Sequence, residues 1–177
     1  MFKKIFLVVF ALFCTLAHAS LMAGQNSEKL VNTVFTGDLA KIKSLLDNGA
    51  DPNSTSDGMT ALMLASQFNK IDIAKLLLNK GADPNITDTQ SGSALGLAAM
   101  SGNKEIVKLL LKFKANVNHQ VKSGWSPLMF AANAGHVEIV KMLLLAGANK
   151  SFSDKYGWTA LKLAENANDQ KIINILK

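Results

Sequence analysis

The chain is 177 residues long, with 19 basic against 13 acidic side chains and a formal net charge of +6. All the basic residues are lysine and the single cysteine is Cys14, which excludes a disulfide framework. The lysines are spread rather than clustered, so no nucleic-acid partner is expected, since that would require a basic patch.

Residues 1–19 differ from the rest. Lys3 and Lys4 precede an apolar run from Ile5 to Leu16, and Ala17-His18-Ala19 places small residues around a cleavable bond. This is the layout of a secretory signal peptide cut after Ala19. The run is shorter than the about 20 residues of a membrane span, and Phe13 is bulky where a lipid-modified cysteine would follow a small residue. Cleavage leaves 158 residues (177 minus 19) with no cysteine. A domain of that size buries about 68–70% of its unfolded surface, so packing alone can hold it. The absence of arginine points to an AT-rich genome and, with the short leader, to a bacterium. The expected destination is the periplasm, without stable membrane insertion once the leader is removed, and as a monomer when unbound.

A short linker is expected over residues 20–27, then five units at about 28–54, 55–87, 88–120, 121–153 and 154–177. Leu62, Leu95, Leu128 and Leu161 stand 33 residues apart, each inside one phrase: Thr60-Ala61-Leu62-Met63, Ser93-Ala94-Leu95-Gly96, Ser126-Pro127-Leu128-Met129 and Thr159-Ala160-Leu161-Lys162. A fixed period of this length means stacked small units. Small residues follow at Ala65, Ala98-Ala99, Ala131-Ala132 and Ala164, where helices must approach closely. A turn position is then always Gly or Asn: Gly37, Asn69, Gly102, Gly135, Asn168. These two residue types most readily take positive φ, so a left-handed C-cap is expected there. Next comes an apolar stripe with mixed three- and four-residue spacing, as in Ile71, Ile73, Ala74, Leu76, Leu77 and Leu78, predicting an amphipathic second helix. Gly49-Ala50-Asp51, Gly81-Ala82-Asp83 and Gly147-Ala148-Asn149 close units before polar loops. Polar residues such as Lys29, Lys41 and Lys43 at one end, and Asn166, Lys171 and Asn174 at the other, predict capped ends of a complete stack.

This pattern resembles the ankyrin repeat. Its phrase T-P-L-H-x-A recurs as Ser126-Pro127-Leu128-Met129-Phe130-Ala131 and its G-A-D-x-N as Gly81-Ala82-Asp83-Pro84-Asn85. The resemblance runs from about Glu28 to Lys177. It implies an all-α solenoid of about five helix-turn-helix units, curved, with hairpin-like fingers projecting from it. The family's histidine is replaced by Met63, Gly96, Met129 and Lys162. The unit around Leu95 departs most: Gly92 is displaced by one place, Gly96 lies within a helix and Lys114 stands where a closing glycine is expected. That unit is expected to be the least stable joint.

No catalytic, cofactor or metal constellation emerges. His119 falls in a finger loop, and His136 follows Gly135 in the family's usual turn; a lone histidine without a Cys or His partner does not make a metal site. Neither a Gly-x-Ser-x-Gly elbow nor a phosphate-cradling loop is present. Asp51, Asp83, Glu105 and Glu138 hold ordinary repeat positions. Asn53, Asn85 and Asn149 begin Asn-x-Ser/Thr triplets and are read as loop residues.

Members of the family bind proteins with the finger tips and the exposed side of the first helices. Carried over by position, the protein-binding candidates are Met59, Gln90, Lys122, Trp125, Lys155, Tyr156 and Trp158 on fingers, and Phe68, Met100 and Asn133 on first helices, with Phe35 beside them. Trp125 and Trp158 occupy the same slot in adjacent units; they either face a partner or fold onto the neighbouring finger. Phe130 takes a slot held by leucine in other units and is expected in the core, as are Met63 and Met129. The expected function is a non-catalytic module binding a periplasmic enzyme, such as a peptidoglycan hydrolase, to inhibit or protect against it. Alternatives are a scaffold for a stress-defence enzyme and an effector passed into a host cell.

Overall fold

The computed structural model describes residues 25–177; the signal peptide, its cleavage site and Cys14 lie outside them. The described residues form five helix pairs. The first helices are α1 (25–36), α3 (Ala61–Gln67), α5 (Ala94–Ser101), α7 (Pro127–Asn133) and α9 (Ala160–Asn166). The second helices are α2 (Leu39–Asp47), α4 (Ile71–Asn79), α6 (Lys104–Lys112), α8 (Val137–Leu145) and α10 (Gln170–Leu176). Residues 25–27, expected as linker, are already helical. Successive first helices pack side by side as one layer, and successive second helices form the other.

Each repeated phrase acts as a helix start. The hydroxyls of Thr60, Ser93, Ser126 and Thr159 accept hydrogen bonds from the backbone N–H three residues on, which satisfies an otherwise orphaned donor. Pro127 sits in the first turn of α7, where its missing N–H is harmless. Helices end where the turn residues predict: Gly37, Asn69, Gly102, Gly135 and Asn168 all take φ between 54° and 77°.

Between the layers lies the core. Ala65, Ala98, Ala99, Ala131, Ala132 and Ala164 are fully buried where first helices meet. Leu62, Leu95 and Leu128 lie against them, and Ile73, Leu77, Ile106, Leu110, Ile139, Leu143 and Ile172 face them from the second helices. Met63 and Met129 are buried as expected. Two expectations fail. Ile71 begins the predicted stripe yet is 39% exposed, at the first residue of α4. Phe130 is half-buried rather than core, since its ring lies toward the fingers against Trp125.

Asparagines clip one unit to the next. The Asn53 side chain accepts from Asp83 N (2.7 Å) and donates to the Gly81 carbonyl (3.3 Å). Asn85 repeats this with Asn116 N and the Lys114 carbonyl, and Asn118 with Asn149 N and the Gly147 carbonyl. Two of the three Asn-x-Ser/Thr asparagines therefore hold the stack together. A second set spans the turns: Asn103 Nδ2 donates to the Ser66 and Gln67 carbonyls at 2.7 and 3.1 Å. The equivalent His136 ring lies 3.1 Å from the Met100 carbonyl oxygen and packs on Gly102.

The unit around Leu95 carries two left-handed residues other than Gly or Asn. Lys114 takes φ 62° where Gly81 and Gly147 stand in neighbouring units, and Ser91 takes φ 63° where Gly58, Gly124 and Gly157 stand. Displaced Gly92 is used differently: its N–H donates to Asp88 Oδ1 at 2.7 Å, and a Cβ there would lie 2.6 Å from that carboxylate.

Candidate functional site

The fingers are hairpins that join one unit to the next first helix. In the first of them, β1 (Thr55–Ser56) pairs antiparallel with β2 (Met59–Thr60) around Asp57-Gly58. Both turn residues have positive φ (52° and 77°), as a two-residue hairpin matched to strand twist requires. Two of the three later fingers keep single bridges, Thr87 with Ser93 and Ser153 with Thr159.

In the last finger an aspartate organises the turn. Asp154 Oδ1 accepts from the backbone N–H groups of Tyr156 and Trp158, both at 2.9 Å, and Oδ2 accepts from the Trp125 indole at 3.1 Å. Desolvation pushes the Asp154 pKa up; the N–H donors of Trp158, Tyr156 and Trp125 outweigh it, and the carboxyl is held below its ordinary value.

This geometry divides the predicted protein-binding residues. Tyr156 (75% exposed) and Trp158 (37%) face outward, with the Lys155 ammonium 5.0 Å from the Tyr156 ring centroid. With Gly157, Lys162, Glu165 and Asn166 they line a groove of about 470 Å³ between the finger and α9. Trp125 has a different place. Its indole N–H is bound to Asp154, its ring stacks on Phe130 with centroids 5.2 Å apart, and it is half-buried. In the structure it braces one finger against the next. Lys122 turns away from the groove, donating to the Thr89 carbonyl at 2.6 Å in the preceding finger. Met59 is half-buried against the core because it starts the bridge into α3. Gln90 and Asn133 are exposed, outside the groove.

The remaining candidates gather elsewhere. Phe35 (58% exposed) and Phe68 (48%) meet with ring centroids 5.7 Å apart, and Met100 (41%) occupies the next unit of the same layer. The inner face, meaning first helices plus fingers, thus carries two apolar areas, one near each end. Lys162 and Glu165 were missed as lining residues. Lys162 stands at the phrase position vacated by the family's histidine, which was the available signal.

Both histidines among the described residues are engaged with backbone carbonyls. His119 lies 2.6 Å from the Ser91 carbonyl oxygen and His136 is engaged in its turn. Among the described residues no group of three or more His, Cys, Asp or Glu could hold a metal ion. No described helix is long and apolar enough to cross a membrane.

Comparison with known proteins agrees with this architecture. The family model "Ankyrin repeats (3 copies)" matches residues 30–88 and 95–177. The chain is 36% identical over 63 residues to the 2-5A-dependent ribonuclease of Mus musculus, covering 34% of this chain and 9% of that protein. It is 40% identical over 55 residues to putative ankyrin repeat protein FPV223 of fowlpox virus (strain NVSL), covering 30% of this chain and 39% of that protein. With FPV222 of the same virus the identity is 39% over 59 residues, covering 33% and 8%. The chain thus spans well under half the length of these relatives.

Proposed function

The chain belongs to the ankyrin-repeat family, whose members are generally non-catalytic protein-interaction modules, and from that premise we propose that it is an exported adaptor gripping another protein with its inner face. The observation that carries this reading is the outward placement of Tyr156 and Trp158 on a braced finger. Large rings with a polar handle bury much area at little entropic cost, which is why they dominate binding hot spots. Asp154 fixes the turn beforehand, so association loses less conformational freedom. The Phe35–Phe68 pair offers a second contact. It lies about three unit spacings from the last finger, roughly 25–30 Å at 8–10 Å per packed helix pair. A partner touching both ends is a protein surface, not a small molecule.

The layout of residues 1–19 supports export to the periplasm. In that compartment the reading is occlusion of an exported enzyme, such as a peptidoglycan hydrolase, with the fingers over its active-site mouth. Capture from the periplasmic fraction of the source cells tests both halves. Wild-type protein is expected to retain a partner whose activity falls when bound, and the Tyr156→Ala/Trp158→Ala double variant to lose it. Equal capture by the double variant at unchanged thermal stability contradicts the assigned face. A full-length precursor left in the cytoplasm on fractionation contradicts the compartment.

A further inference from the structure

Charge is sorted on the two fingers that begin at Asp88 and Asp154 and on α9 beside the last of them. Their turn carboxylates point inward: Asp88 Oδ1 accepts the N–H groups of Gln90 and Gly92 at 2.7 Å each, and Asp154 uses both oxygens on three donors. The ammonium groups stay outward. Lys155 lies over Tyr156, and Lys162 Nζ donates to the Gly157 carbonyl at 2.8 Å; both lysines are exposed. The ion pairs among the described residues, Lys80–Asp47 and Lys141–Glu138, neutralise neither. Neither ammonium forms an ion pair, although the Asp154 carboxylate, which already holds three N–H donors, lies close enough to feel the Lys155 charge. Beside these two cations, Tyr156 and Trp158 form the apolar wall of the groove, and Glu165 is the one acid lining it.

We infer that the groove between the last finger and α9 selects an acidic segment of the partner, in which a carboxylate stands next to an aromatic or branched apolar side chain. The apolar side chain enters between Tyr156 and Trp158, and the carboxylate meets Lys155 and Lys162. This inference rests on the inner face being a protein-binding surface and names what one end of it recognises. Opposed charges at a partly exposed site accelerate encounter and choose among partners, and their effect weakens with salt.

The test uses the full mature chain and a phage-displayed random peptide library. Enriched peptides are expected to carry Asp or Glu beside an aromatic or branched residue. Synthesised, they should lose at least tenfold in affinity against Lys155→Glu/Lys162→Glu, or against Lys155→Glu alone should the double variant misfold. Tyr156→Ala should weaken them too. Lys75→Glu/Lys108→Glu on the second helices, with the same change of net charge, should leave affinity within twofold. Enrichment without acidic residues, unchanged binding to the finger variants, or equal loss with the second-helix variant overturns the inference. Peptides lost with Phe68→Ala but kept with Tyr156→Ala would overturn it while leaving protein binding by the inner face intact.

Discussion

The Trp125 indole donates to Asp154 across 29 residues of sequence, at 3.1 Å, and so locks the finger of one unit to the finger of the next. The bond turns one of two equivalent tryptophans into structure, while the other, Trp158, stays exposed.

Acidification should release this brace. The Asp154 pKa is lower in the folded chain than in the unfolded chain, since donors from Trp158, Tyr156 and Trp125 favour the charged form beyond the opposing desolvation. Its stabilisation is therefore complete above the unfolded value of about 3.9. It is lost as pH falls below that value through the lower folded pKa. Trp125 fluorescence in a Trp158→Phe background should shift below about pH 4 before the second helices melt. In Asp154→Asn that early step should be missing.

Relieving backbone strain should strengthen the unit around Leu95. An L-residue in the left-handed region costs roughly 1–2 kcal/mol relative to the right-handed one, a penalty glycine escapes. Ser91→Gly and Lys114→Gly should each raise the urea midpoint by the equivalent of about 1 kcal/mol at unchanged slope. Asn69→Gly should gain less, because asparagine tolerates φ 54°.

Gly96→Ala should also stabilise. A Cβ at Gly96 would meet Phe130 at 3.7 Å and Ser93 Oγ at 3.5 Å, ordinary contacts without a clash. The gain expected from replacing a mid-helix glycine is about 0.5–1 kcal/mol, read by thermal or urea unfolding. Hydrogen exchange of the wild type should find its fastest-exchanging internal helices at α5 and α6. If they were the slowest, this unit would not be the weak joint.

Much of the architecture was readable because backbone demands recur every 33 residues. Gly and Asn marked every left-handed cap except the one at Lys114, and Ser91 and Lys114 can be located as strained by register alone. The fate of Trp125 was not readable. Trp125 and Trp158 share a repeat slot, and what separates them is a carboxylate in the following finger, a contact that local pattern does not encode. Phe130 was misjudged for the same reason: Trp125 draws its ring toward the fingers.

Cutting an asparagine clip should loosen a defined joint. Asn103→Ala removes two hydrogen bonds to the Ser66 and Gln67 carbonyls. Each such bond contributes roughly 0.5–1.5 kcal/mol, so a loss of about 1–3 kcal/mol is expected. Faster exchange should be confined to the contact between α3 and α5.

Affinity of the captured partner for Tyr156→Ala and Trp158→Ala, measured by calorimetry beside Trp125→Phe, bears most directly on the reading of the inner face. A hot-spot ring contributes 2 kcal/mol or more, so each alanine variant should bind at least about 30-fold more weakly. Trp125→Phe should stay within a few-fold, because that side chain serves the stack and not the partner. Wild-type affinity in both alanine variants, with loss only in Trp125→Phe, would contradict the account.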